Sequence, residues 1–287
     1  MTRHIFVRFA SIGVLGLAFL VPHSALAQSP SSTNAASQAG ATAADDDGGL
    51  QLAQPDFRIV NLPTTLRLPV HGSSFQLTHR FNGNLRRGSF SQNAGNLFGL
   101  DQGAVVGFEY RFGIARHLQA IAYRSAIDKT FQFYGKYDAL RQSESTPVGL
   151  SALVSVEGVN NFRDRYSPAL GVSVSRTAGD RLALYVTPIW VHNTAGVLNI
   201  DRDTFFVGVG GRLRMSATVY VVAESSPRLA GYSPDQPEYA FGLEKRAGGH
   251  MFQLTFANSQ GTTFGQTARG GFPNALFLGF NLARKFF

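Results

Sequence analysis

The chain has 287 residues, no cysteine, 26 basic against 18 acidic residues and a formal net charge of +8. Without cysteine it has no disulfide, no thiolate metal site and no lipid-modified N-terminal cysteine. The excess of base is modest and forms no run, so loop charge and solubility account for it and nucleic acid is not an expected partner.

Arg3, His4 and Arg8 precede an apolar run from Phe9 to Val21 that only Ser11 interrupts; Pro22 ends it, and Ala25-Leu26-Ala27 offers a small-x-small cleavage site. The run is too short to span a bilayer comfortably, so residues 1–27 are expected to be a signal peptide. Its removal leaves 24 basic against 18 acidic residues, a net charge of +6. Residues 28–55, rich in Ser, Ala, Gln, Thr and Gly, are expected to be a disordered low-complexity linker, because they cannot bury a core. Asp45-Asp46-Asp47 lacks the spaced oxygen ligands of a calcium loop and reads as a solvated charge run. Pro55, Pro63 and Pro69 argue against a central strand over Phe57 to Val70, which leaves an edge piece, a periplasmic lead-in or a small plug.

From Ser74 onward, short stretches in which every second residue is apolar alternate with turns. In Val106-Gly107-Phe108-Glu109-Tyr110-Arg111-Phe112, one face carries Val106, Phe108, Tyr110 and Phe112 and the other carries Gly107, Glu109 and Arg111. The pattern predicts twelve strands, near 74–82, 104–112, 117–126, 130–138, 147–157, 166–176, 181–192, 204–214, 218–225, 237–246, 250–258 and 276–286. An even count suits a barrel with both termini on one side. Connections alternate between quick turns, such as Gly113 to Arg116, and long ones, such as Gly83 to Gly103, as periplasmic turns and extracellular loops do. The link near Ile127 to Lys129 is short where a loop is expected, so the count could err there by one hairpin. The expected fold is all-β: a single antiparallel transmembrane barrel over 56–287, with outer-membrane lipid around it. A soluble sandwich or lipocalin-like barrel fits the strand number, the glycines and the aromatics less well.

The final segment, Leu276 to Phe287, is similar to the C-terminal strand that outer-membrane assembly machinery recognises, which makes that machinery the expected partner. Phe286, in phase with Leu282, Phe280 and Leu278, is better placed than Phe287 to be the recognised aromatic. Further stretches carry a family likeness: Leu97-Phe98-Gly99-Leu100-Asp101, Tyr123-Arg124-Ser125, Tyr134-Gly135-Lys136-Tyr137 and Gly249-His250-Met251-Phe252-Gln253-Leu254-Thr255-Phe256-Ala257-Asn258-Ser259-Gln260-Gly261. Together with Phe280-Asn281-Leu282-Ala283-Arg284 they resemble a bacterial family of predicted outer-membrane β-barrels of unknown function. The resemblance covers roughly residues 56 to 287; it implies fold and envelope location and brings no catalytic or ligand residues.

If the apolar faces meet lipid, the opposite faces present Arg80, Glu109, Arg111, Lys136, Asp138, Glu157, Glu224, Glu244, Arg246 and Lys285 to the interior. Paired, these charges would fill and stiffen the barrel; with a water path left between them they would line a pore of little charge preference. Phe108, Tyr110, Phe112, Trp190, Phe205, Phe206, Tyr239 and Phe241 are expected at lipid-facing or girdle positions. Gly208-Val209-Gly210-Gly211 has no helix after it and reads as a place where strands bend or interior bulk is relieved. The loop Gly83 to Gly103 either folds into the barrel mouth or has apolar residues that begin the next strand. A rim hydrolase would need His192 within reach of Ser225 or Ser226, with Asn193 to orient it. His71, His79 and His117 have no ligand spacing, so neither a metal nor a cofactor is expected. The expected role is passage of small polar solutes or ions through a narrow lumen; the alternative is a closed structural or docking barrel.

Overall fold

The computed structural model describes residues 52–194, 203–232 and 236–286. The signal peptide, the Asp triplet, most of the linker and Phe287 lie outside the described residues. Twelve strands cross the sheet: β1 (Ser73–Asn84), β2 (Ala104–Ala115), β3 (Leu118–Ser125), β4 (Thr130–Leu140), β5 (Gly149–Gly158), β6 (Asp164–Ala178), β7 (Leu182–Val191), β8 (Thr204–Arg214), β9 (Val219–Ser226), β11 (Glu238–Ala247), β12 (His250–Ala257) and β13 (Phe277–Phe286). The four-residue β10 (Arg228–Gly231) only extends the edge of β8 past β9. Each long strand pairs antiparallel with its neighbours in the chain, and the last returns to the first, with Ser73 opposite Phe286 and Leu77 opposite Leu282. Closure leaves no edge, which is what lets strands cross hydrocarbon with every backbone group paired. No described helix is long and apolar enough to cross a membrane.

All twelve predicted strands are present, including the doubtful hairpin. There β3 turns into β4 over Ile127–Lys129, where Asp128 and Lys129 adopt φ of 51° and 50°. Alternation sorts the two faces. On β2, Phe108 and Tyr110 are exposed at 47% and 50%, whereas Glu109 and Arg111 are buried at 3% and 0%. The outward belt continues through Phe133, Val154, Leu170, Leu184, Leu243 and Leu254. Phe206 departs from its expected lipid-facing place. Adjacent strand residues point to opposite faces, so with Phe205 outward Phe206 is fully buried in the lumen, in the interior apolar cluster.

Three short helices decorate the connections: α1 (Phe90–Gly95), α2 (Val159–Phe162) and α3 (Phe264–Ala268). The connections after β1, β7, β9 and β12 are long and share one end of the barrel, the loop end, with the short β3–β4 and β5–β6 links; the opposite, turn end has tight turns except for the eight-residue β4–β5 link. The loop of Gly83 to Gly103 does not enter the mouth. It folds outward, because the backbones of Gly83 and Gly99 touch, with Gly99 at φ 92°, and this turns α1 over the outside of β12 and β13. A side chain at either glycine would separate that contact.

The outward belt makes a test of the membrane-facing surface. Val154, 58% exposed in the middle of β5, is expected to lose about 2–4 kcal/mol of folding stability on substitution to Arg if it lies near the bilayer midplane. Urea titration of the protein refolded into lipid vesicles would read it, and an unchanged midpoint would refute the lipid-facing assignment.

Candidate functional site

The lumen is filled from both ends. From the turn end, residues 53–68 enter as a hairpin: Arg58 bridges Pro63, Ile59 N–H donates to Leu62 O at 2.9 Å and Thr64 N–H donates to Phe57 O at 2.9 Å. Ala53 and Gln54, expected in the linker, are already buried here, at 0% and 7%. From the loop end, the β12–β13 connection turns inward over 258–268. Its helix α3 is capped by Thr263 and Gln266, each side chain meeting the other's backbone N–H, and all five of its residues are buried. The two inserts touch where Arg58 Nη1 donates to Thr262 O at 3.1 Å.

The wall grips the hairpin through its backbone. The Glu224 carboxylate accepts from three successive N–H groups, Val60 at 3.0 Å, Asn61 at 2.8 Å and Leu62 at 3.1 Å. Wall side chains donate to the hairpin carbonyls: Arg212 to Arg58 O at 2.7 Å, Gln253 to Ile59 O at 2.6 Å, Asn281 to Val60 O at 3.2 Å and Ser173 to Pro63 O at 2.9 Å. Lower down, Lys136 Nζ at 2.5 Å and Gln119 Nε2 at 3.2 Å both donate to Leu66 O. Asn61 ties the tip to two strands, donating to Glu238 at 2.6 Å and accepting from Arg80 at 3.1 Å.

Charges close in three buried clusters. Glu109 accepts from Arg58 Nε at 2.7 Å and Arg111 Nη2 at 2.8 Å, and both guanidiniums sit about 5 Å from hairpin or wall rings, Arg58 over Tyr123 and Arg111 over Phe57. Lys136 pairs with Asp138 at 2.8 Å, and Arg212 pairs with Glu244 at 3.0 Å. Glu157 accepts from Gly265 N–H of α3 at 3.0 Å. Apolar contacts index the tip: a Cβ on Gly208 would lie 2.6 Å from Leu62, and one on Gly210 would lie 2.8 Å from Ile59. These glycines relieve interior bulk because the hairpin occupies that space.

Of the residues expected to face the interior, Arg80, Glu109, Arg111, Lys136, Asp138, Glu157, Glu224 and Glu244 are buried on the inner wall. Arg246 and Lys285 are half-buried at the turn end, where Lys285 Nζ lies 5.1 Å from the Phe57 ring. Sequence reading missed Arg58, Arg212 and Glu238. Arg212 and Glu238 follow from the alternation once β8 and β11 are phased; Arg58 lies outside any strand and carries no such signal. It also missed the inward loop, although Thr263-x-x-Gln266 is a capping-box signature. At the rim, His192 Nδ1 meets Asp203 Oδ1 at 2.6 Å, Ser225 Oγ donates to Glu238 O and Ser226 is fully buried. Among the described residues neither serine bonds to His192, and no group of side chains suits a metal ion.

Over residues 55–286 the sequence matches a family model described as a membrane bound beta barrel domain (DUF5777). The chain belongs to that family. The matched span takes in the hairpin as well as the strands. Among solved structures the chain is similar to the KdgM porin, at 7% identity and a TM-score of 0.50, covering 75% of this chain and 99% of that one. It is also similar to the NanC porin, at 8% identity and a TM-score of 0.49, covering 74% and 99%. The outer membrane phospholipase A from Escherichia coli aligns at 8% identity and a TM-score of 0.45, covering 79% and 97%. At these identities the likeness is one of fold. No curated protein matches the chain.

Glu109 serves two guanidiniums, so Glu109→Gln would strand both in a dry interior. Folding stability is expected to fall by about 3–5 kcal/mol, measured by urea unfolding in vesicles. A loss below about 1 kcal/mol would mean that water reaches the cluster.

Proposed function

We propose that this family member is an outer-membrane channel for small polar solutes or ions that is closed at rest by its own N-terminal hairpin. The carrying observation is how the hairpin is held. Its backbone is bonded to wall carboxylates, amides and guanidiniums, groups that water can satisfy once the hairpin leaves. Among the described residues the charged groups beside it are closed off from water, since Arg58, Arg80, Arg111, Lys136 and Arg212 are each at most 1% exposed. The recess bounded by Gln54, Thr65, Leu66 and Gln142 at the turn end holds only about 40 Å³, roughly one or two waters. Both legs of the hairpin meet the turn end, the periplasmic side of such barrels, so it can withdraw without threading the barrel.

The withdrawn state would leave Arg80, Glu109, Arg111, Lys136, Asp138, Glu157, Arg212, Glu224, Glu238 and Glu244 around the lumen, with Arg246 and Lys285 at its mouth. These are six bases and six acids, which favours little selectivity by charge. A closed barrel that serves only as a docking partner is the second reading, and the burial of both inserts inside the barrel favours it.

Single-channel recording in planar bilayers separates the two. The intact mature chain is expected to be mostly silent with brief openings, Glu224→Gln to open more often, and a variant lacking both residues 53–68 and the inward loop 259–268 to conduct steadily. The chain has no cysteine of its own, so Leu62→Cys with Gly208→Cys gives a clean lock: oxidised protein should be silent and reductant should restore openings. A folded deletion variant that never conducts would sink the channel and leave the docking barrel.

A further inference from the structure

The outward loop makes a site that the channel does not use. Between α1 and the outside of the barrel lies an open groove of about 460 Å³, lined by Leu85, Phe90, Asn93, Phe98, Phe256 and Leu278. Phe256 and Leu278 alternate outward from the buried Ala257 and Phe277 on β12 and β13, so the groove continues the apolar belt that faces lipid. Its far wall is aromatic: Phe90 and Phe98 meet edge-on at 5.8 Å, and they remain 78% and 39% exposed. No residue of α1 is buried, and Leu97 and Leu100 beside it are 56% and 44% exposed. A water-facing surface loop would bear a cost for that much bare apolar area.

The loop is nonetheless built to hold its place. Asn84 Oδ1 accepts from Arg86 N–H and Leu276 N–H, both at 3.0 Å, and Asn93 Nδ2 donates to Leu85 O at 2.9 Å. Ser89 and Gln92 cap the helix reciprocally. Two arginines follow the groove-lining Leu85 in the chain. Arg86 Nη2 donates to Tyr239 OH at 3.1 Å, which sets it over the outer face of β11, and exposed Arg87 follows it.

An apolar slot open to the lipid belt, with two exposed guanidiniums next in the chain to one of its lining residues, matches an amphiphile that carries acyl chains and phosphate. We infer that the groove between α1 and strands β12 and β13 binds a phosphorylated glycolipid of the outer leaflet, one acyl chain lying between Phe90, Phe98, Phe256 and Leu278 and a phosphate meeting Arg86 and Arg87. The inference rests on the outer-membrane placement, with the loop end outward, and not on gating.

Native mass spectrometry of the detergent-purified mature protein tests it, with three probes: hexa-acylated lipid A with two phosphates, the same lipid dephosphorylated, and phosphatidylglycerol. A one-to-one adduct with the diphosphorylated lipid A is expected, at least about tenfold weaker in Arg86→Ser with Arg87→Ser, and similarly weakened in Phe90→Ser with Phe98→Ser. These positions lie off the barrel, and heat-modifiable migration on gels would confirm that the variants fold. The adduct should survive deletion of residues 53–68, which keeps this result separate from the conductance result. Equal binding of the dephosphorylated lipid or of phosphatidylglycerol, or variants that bind like the parent, would overturn the assignment.

Discussion

In a closed barrel, every strand has spent its backbone N–H and C=O groups on its two neighbours, so a peptide that enters the lumen finds no ladder to join. Its backbone groups still need partners, because an unpaired buried amide costs on the order of 1–3 kcal/mol. Here the wall answers with side chains. Glu224 takes three N–H groups of the hairpin tip, while Arg212, Gln253, Asn281 and Ser173 serve its carbonyls. The polar inner face is thus a socket shaped to a backbone.

The same constraint explains why wall and hairpin depend on each other electrostatically. Glu109 could be satisfied by Arg111 alone, yet Arg58 arrives from the hairpin and shares it. Arg212 divides itself between Glu244 and the carbonyl of Arg58. A charge left alone in that interior would cost several kcal/mol. Filling the lumen and balancing its charges are one problem with one solution.

Strand order, phase and closure were legible in the sequence because each follows from period-two alternation and turn spacing, which are local. Residues 57–70 were legible only as three alternatives, a small plug among them, since prolines only forbid a strand and the hairpin's conformation comes from partners on β1, β8, β9, β12 and β13. Phe206 was misplaced because an aromatic beside another aromatic was read by type, where parity should have decided. The loop at Gly83 to Gly103 invited an inward reading through its apolar residues, but the close contact of Gly83 with Gly99 is a pairing across sixteen positions that no local pattern reveals. The loop that does enter the lumen is rich in Thr, Gly and Gln, residues that can bond to a polar wall, and carries only Phe264 as a large apolar anchor, against Tyr134.

The hairpin combines two kinds of contact with opposite consequences. Ile59 and Leu62 set its register by fitting over Gly210 and Gly208, a steric match that water cannot imitate. Its backbone and Arg58 are held by hydrogen bonds and ion pairs that water can replace group for group. A plug seated by apolar contact alone would leave a dry, collapsing cavity on withdrawal, and one seated by polar contact alone would slide. In the opening proposed above, the apolar tip would fix where the hairpin returns, and the polar wall would keep the emptied lumen wettable.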